Sequence, residues 1–327
     1  MSLLDGASGQ VARFAANLTS GGAAGNRLLI LCYHRVLAEP DPIQPECMDR
    51  RVFEDQMDVL ARSYKPLNLA DAVARLRARR LPRRAVCVTF DDGYADNCEI
   101  AMPILLRHGI PATVFVASGM LDGGCMWNDE IAEAVRATSE TTLRLPECPE
   151  LSLASDQDRA AAVKSILWRL RRIPSNERRR QTAQIVAALG AGSTDGIMLT
   201  SAQVRELHGN GIEIGAHTVS HPILARLSAA DARKEITDSR ESLAEIIGSE
   251  VHGFAYPNGF PGVDYDSGHV EAVSRAGFSY AVSTANGTSV QGGDVYQLPR
   301  FKPWNQARSK FGVKLALQYR LSPSALA

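Results

Sequence analysis

The sequence predicts an α/β fold: a closed or nearly closed (β/α) barrel of seven or eight strands that carries a helical insertion. Three observations point there. Short apolar runs alternate with amphipathic helical segments in units of about thirty residues, the rhythm of parallel βαβ construction. That rhythm breaks between about 120 and 200, where helical segments follow one another with little strand pattern. Each polar cluster with chemical promise also falls where a strand-like run ends, as in barrels whose chemistry gathers at the C-terminal ends of the strands.

Residues 1–26 are rich in Gly, Ala, Ser and Asn, and Val11, Phe14 and Leu18 keep the spacing of one short amphipathic helix. Residues 28–33 (Leu-Leu-Ile-Leu-Cys-Tyr) are continuously apolar, the pattern of a strand buried on both faces, and end at His34-Arg35. Pro40, Pro42 and Pro45 enforce an irregular segment. A helix is predicted over 52–64, with Phe53, Met57 and Leu60 on one face. A short strand near 67–69, a helix over 70–80 and a strand over 86–90 lead to Asp91-Asp92-Gly93. A helix over 95–108, stopped by Gly109, precedes a buried strand over 111–116.

The insertion reads as helices over 127–138, 156–172 and 175–189, with Arg169, Arg171, Arg172, Arg178, Arg179 and Arg180 among them. Such a charge run is either a solvated helix face or a contact for phosphate head groups or a polyanionic substrate. Alternation resumes with a helix over 201–208, a strand over 211–215, a helix over 229–247 and a strand over 251–256. A helix over 267–276, strands over 278–283 and 295–301 and a helix over 306–319 complete the chain. One domain spans 1–327, with the barrel at about 27–301.

Bulk properties narrow the function. The chain has 327 residues, enough for one large α/β core. Lys+Arg and Asp+Glu number 36 each, a balance that argues against nucleic acid as partner. No apolar run approaches the roughly 20 residues of a membrane span, although peripheral membrane contact stays open. The N-terminus lacks the basic-then-apolar pattern of a secretory leader. Six cysteines show no Cys-x-x-Cys pairing, and Cys32 and Cys87 lie in apolar runs as buried thiols do. Together these features predict a cytoplasmic protein.

Two constellations carry chemistry. Successive side chains alternate along a strand, so Asp91 and Asp92 reach one pocket only at its end, where Gly93 lets the chain turn. Adjacent carboxylates there suit a division in which one binds a cation and the other handles protons; alternatively, one of them caps the next helix. His217 and His221 are spaced i, i+4, which puts both imidazoles on one face if the segment winds helically. With Asp92 they make a two-nitrogen, one-oxygen set that suits Zn²⁺ and leaves positions open.

Thr89-Phe90-Asp91-Asp92-Gly93 and His217-Thr218-Val219-Ser220-His221, in this order and at strand ends, resemble the first two motifs of the polysaccharide deacetylase (NodB-homology) family of carbohydrate esterases. Weaker similarity runs from about 28 to 301, apart from the insertion. The resemblance implies a distorted (β/α) barrel, with Asp91 as catalytic base and with Asp92, His217 and His221 as ligands of Zn²⁺ or another divalent ion. It implies hydrolytic removal of an N-acetyl group from an amino sugar in a polysaccharide, oligosaccharide or glycan precursor. In a cytoplasm such an enzyme meets nucleotide sugars or lipid-linked intermediates.

Two family motifs depart. Where the third reads Arg-x-Pro-Tyr, this chain offers Ala255-Tyr256-Pro257-Asn258-Gly259. The proline is kept, so the Asn258 N–H takes the oxyanion-stabilising place with Tyr256 beside the substrate; the same residues also read as an ordinary Pro-Asn-Gly turn. The final Leu-x-His motif is replaced by Leu298-Pro299-Arg300. Arg300 is expected at the substrate site, where it would also orient Asp91 in place of the missing arginine. Tyr33-His34-Arg35 resembles the Tyr-His motif of biofilm poly-N-acetylglucosamine deacetylases, in which the motifs are circularly rearranged. His34 is thus the expected general acid, approaching the leaving nitrogen from the side opposite Asp91, with a structural His34 as the alternative. Hydrolysis of another amide, such as a formamido sugar or a ureide, is the rival activity. A glycan-binding pseudoenzyme is the rival class, but retention of Asp91, Asp92, His217 and His221 together argues against it.

Overall fold

The computed structural model describes residues 26–145, 150–303 and 308–319. The segment around Val11, Phe14 and Leu18, the cysteine at 148 and the start of the last expected helix lie outside these residues. Six strands form a curled parallel sheet: β1 (Arg27–Tyr33), β2 (Ala85–Phe90), β3 (Ala112–Val116), β4 (Glu213–Ala216), β5 (Gly253–Ala255) and β6 (Tyr280–Val282). They lie in chain order across the sheet, and a two-residue β7 (Ser289–Val290) runs antiparallel on the far side of β1. All six residues of β2 are buried, the pattern of a strand covered on both faces.

The curl is completed by residues 298–301. Leu298 bridges Val282 on β6 and Phe301 bridges Leu31 on β1, both in parallel sense. Phe301 donates to Ile30 O at 2.8 Å and Cys32 donates to Phe301 O at 2.9 Å. The sequence predicted a full strand over 295–301, but only these bridges form. Pro299 has no N–H to give to a ladder, which accounts for the interruption.

Helices flank the sheet: α1 (Arg50–Ser63), α2 (Leu69–Arg77), α3 (Met102–His108), α4 (Trp127–Ala137), α5 (Asp156–Leu170), α6 (Ser175–Leu189), α7 (Ser201–Gly209), α8 (Ala229–Ile247), α9 (Ser267–Arg275) and α10 (Arg308–Gln318). Asp49 caps α1 by accepting from Arg51 and Val52 N–H. The helix then buries Phe53, Met57 and Leu60, each contributing about 1.5–3 kcal/mol against exposure. The helix expected over 95–108 opens instead as a π turn (Asn97–Ala101) before α3. Pro103 lacks the N–H that a regular turn needs, and a wider turn avoids the demand. The strand expected near 67–69 lies earlier, at Lys65–Pro66, because Asn68 caps α2.

The insertion holds α4, α5 and α6 and a small antiparallel pair, Thr142–Leu143 with Leu151–Ser152, that the sequence did not announce. Ile131, Val135, Val163, Ile166 and Ile185 give it a core of its own. It meets the barrel where Tyr94 packs with Met126, Ile197 and Met198. The five described cysteines are free thiols. No helix among the described residues is long and apolar enough to cross a membrane.

Candidate active site

Strand register decides which residues meet. Tyr33 pairs with Phe90, so the next residues, His34 and Asp91, emerge side by side at the C-terminal rim. Ala216 pairs with both Val116 and Phe254, which brings His217 to the same rim across β3. The turn after β2 separates the two aspartates. Asp92 takes φ +79°, in the left-handed region that Asp tolerates better than most residues, and Gly93 takes φ +89°. A Cβ at Gly93 would sit 3.0 Å from Val116 Cγ1, so the turn demands glycine twice over.

Asp91 faces the barrel interior, where Arg300 holds it through two parallel hydrogen bonds. Nη1 donates to Oδ1 and Nη2 to Oδ2, both at 2.6 Å. Arg300 is fixed in turn by Nε donating to Ser283 O and Nη1 donating to Thr89 Oγ1. The Cys32 thiol donates to Asp91 Oδ2 at 3.4 Å. Burial alone would raise the Asp91 pKa, but Arg300 and then His217 hold the carboxyl well below the usual range.

Asp92 turns the other way, towards the histidines. Its Oδ1 lies 3.4 Å from His217 Nε2 and 3.3 Å from His221 Nε2. The segment 217–221 does not wind as a helix. Thr218 (φ +66°) and His221 (φ +53°) make left-handed turns, and these bring the two rings to a centroid separation of 4.8 Å. Glu235 on α8 pins that loop, accepting from Val219 N at 2.8 Å, Ser220 N at 2.9 Å and Ser220 Oγ at 2.6 Å.

Donor chemistry fits a divalent cation. One ligand atom each from Asp92, His217 and His221 lies within 4.8 Å of the others. His217 Nδ1 donates to Ala255 O at 2.7 Å, which leaves the Nε2 lone pair facing the cluster. Donors about 2.1 Å from a common tetrahedral centre stand about 3.4 Å apart, close to the separations seen. Burial lowers the His221 pKa to about 4, keeping its imidazole neutral as a ligand must be.

His34 is half-buried, and its imidazole shares a 4.8 Å cluster with Cys32 Sγ and an Asp91 oxygen. The expected approach from the side opposite Asp91 is therefore corrected. β1 and β2 are hydrogen-bonded neighbours, so the two side chains stand together. Burial, outweighing Asp92 and Asp91, lowers the His34 pKa.

Asn258 stands at φ +58° on the rim, its carbonyl accepting from Thr284 Oγ1 at 2.7 Å. This fixes the turn after β5. Two expected substrate contacts are also corrected. Tyr256 is buried, stacked on Tyr265 at 3.8 Å, with its hydroxyl donating to Tyr296 O. The Arg300 side chain is fully enclosed behind Asp91 and reaches no substrate.

A cleft of about 1070 Å³ opens over the rim past His34, His221 and Asn258. A recess of about 290 Å³ runs from His34 and Asp92 to Asp129. Two residues lining this recess, Arg35 and Asp129, were given no role by the sequence. Arg35 donates to Asp96 at 2.9 Å and lies over the Tyr94 ring, and Asp129 accepts from the Tyr94 hydroxyl at 3.0 Å. Arg35 carried a signal, since it follows His34 at a strand end. Asp129 lies in the insertion and carried none.

The polysaccharide deacetylase family model matches residues 78–281, well over half of the chain. The Bacillus subtilis (strain 168) protein YxkH, whose name marks it as a candidate polysaccharide deacetylase, is 21% identical over 278 residues, covering 84% of this chain and 71% of that protein. Among solved structures, the Streptococcus pyogenes deacetylase PplD in complex with acetate aligns with a TM-score of 0.61 at 18% identity, over 89% of this chain and 98% of that one. IcaB from Ammonifex degensii aligns with a TM-score of 0.58 at 20% identity, over 90% and 98%. At such identities the two structures support the fold.

Proposed function

The chain belongs to the polysaccharide deacetylase family, and we propose that it is a metal-dependent hydrolase that removes an acetyl group from the nitrogen of an amino sugar. The observation that carries this reading is the convergence of Asp92, His217 and His221 beside an Asp91 braced by Arg300, all on one barrel rim. Zn²⁺ or another divalent ion held by Asp92, His217 and His221 would supply Lewis-acid polarisation of the acyl carbonyl and a lowered pKa for water.

The chain's own groups do the rest. Asp91 Oδ2 already accepts from Arg300 and Cys32, whereas Oδ1 accepts from Arg300 alone. The free lone pair on Oδ1 takes the proton of the attacking water. The Asn258 N–H, presented by its left-handed turn, donates to the oxyanion as the carbonyl becomes tetrahedral. His34 delivers a proton to the departing amine as the C–N bond breaks, leaving acetate and a free amino sugar. Acid and base on neighbouring strands can share this work, because water and amine are bonded to the same carbon.

Acetate release from an N-acetylated oligosaccharide, measured with protein stripped by a chelator and then reloaded with Zn²⁺, tests the reading. Activity should vanish on stripping and return on reloading. Asp91→Asn should keep the metal while lowering kcat roughly 10²- to 10⁴-fold, the usual worth of a general base. Full activity in stripped protein, or loss of the metal from Asp91→Asn, would overturn the assignment.

A further inference from the structure

The wall of the cleft opposite the barrel is strongly cationic. Arg171, Arg172 and Arg178 from the insertion, with Arg226 and Lys302 from the barrel side, line the same space as His221 and Asn258. Among the described residues lining the cleft, Glu46 and Asp264 alone oppose them, and Asp264 is engaged in accepting from Phe260 N–H. Among the described residues, none of the five cations forms an ion pair with a carboxylate. Arg226 donates to the carbonyls of Arg171 and Ile173, and Arg172 lies 3.3 Å over the Trp168 ring. The contrast lies on α6, the helix that carries Arg178, where Arg180, turned to solvent, pairs with Glu177 at 2.5 Å.

Arg178 is the most telling. It is only 9% exposed and packs over the Trp127 ring at 5.0 Å, yet no carboxylate among the described residues pairs with it. Burial, with Arg226 and Arg179 nearby, lowers its pKa, the mark of a charge left uncompensated. A buried guanidinium without a counter-charge is costly, and natural proteins seldom keep one without something to bind. An enclosed arginine cannot reach a flat membrane surface, so the missing anion must enter the cleft.

We propose that the substrate is an amino sugar carrying a phosphate ester, bound with the phosphate on the insertion's arginines and the N-acyl group towards Asp91. This rests on the deacetylase reading and names the substrate class for it. Phosphate fits better than a sugar carboxylate because it offers several oxygens and up to about two charges to an array of planar guanidinium forks. The exposed rings of Trp168 and Phe260 lie along the same cleft, beside the phosphate's further substituent.

Two measurements on the metal-loaded protein test this. Calorimetric binding of N-acetylglucosamine 1-phosphate and of its uncharged methyl glycoside needs no turnover. The phosphate should bind roughly 10- to 100-fold tighter, with an advantage that shrinks as salt rises. Arg172→Gln, at an exposed position where folding is not at issue, and Arg178→Gln should each remove about tenfold of that advantage. Equal affinity for the two ligands, an advantage untouched by both variants, or a stronger preference for an N-acetylated sugar carrying a carboxylate would overturn the proposal. Acetate release separates the two readings. Release from neutral and phosphorylated substrates alike sinks the phosphate proposal and leaves the deacetylase. Release from neither sinks the deacetylase, while the binding result still decides the phosphate. A nucleoside-diphosphate sugar compared with an isoprenyl-diphosphate sugar then distinguishes a soluble donor from a lipid carrier by which of the two binds more tightly.

Discussion

At the scale of single residues, the site turns on how two adjacent carboxylates are made different. Asp91 and Asp92 share composition and burial, yet one meets Arg300 and the other meets imidazoles. The consequence for His34 is testable. A general acid matters most when the leaving group is poor, because an activated phenolate departs without a proton. His34→Ala should therefore slow amide hydrolysis by roughly 10²- to 10⁴-fold and hydrolysis of an aryl acetate by far less. Equal losses on both would make His34 structural. Much of this was legible in sequence: Asp91, Asp92, His217, His221 and Asn258 all lie where strand ends placed them. The compensating Arg300 was legible too, as the replacement for a missing arginine, although its enclosure was not. Tyr256 misled because a tyrosine beside a motif proline looks the same in sequence whether its hydroxyl meets solvent or a backbone carbonyl.

At the scale of elements, periodicity located the helices well; the 175–189 and 229–247 segments match α6 and α8. What it could not show was close approach between neighbours. Gly215 on β4 pairs in register with Phe115 on β3, and a Cβ there would meet Phe115 Cδ1 at 2.3 Å and Gly253 O at 3.1 Å. The ring fills the space that a β4 side chain would occupy. Gly215→Ala should cost about 1–3 kcal/mol as Phe115 is displaced, read as a lowered midpoint in denaturant unfolding. It should also reduce activity, because β4 delivers His217. An unchanged midpoint would show that the ring moves aside freely. The histidine loop teaches the same lesson. Its i, i+4 spacing would put both rings on one face only in a helix, but Glu235, 14 residues beyond His221 in the sequence and on another element, holds left-handed turns in place.

At the scale of the whole molecule, the insertion is tied to the barrel through charge as well as packing. Asp129 on α4 accepts from Tyr94 of the barrel, close to Arg35 on the β1 rim. Burial raises the Asp129 pKa from 3.8 to about 7, against a smaller opposing pull from Arg35. The fold thus keeps a proton that the unfolded chain releases near 3.8. Where the native state binds more protons, stability falls as pH rises. The contribution is fully present below pH 3.8 and is lost progressively as pH climbs to about 7, beyond which it changes no further. Asp129→Asn cannot ionise and keeps an oxygen for the Tyr94 hydroxyl, so it escapes this loss. The stability of the variant relative to the parent should increase between pH 4.5 and 7.5, by at most a few kcal/mol, and then level off. Denaturant unfolding of both proteins across that range reads the difference directly. Parallel curves would mean that Arg35 keeps Asp129 ionised throughout, and that the junction is an ion pair instead of a protonated contact.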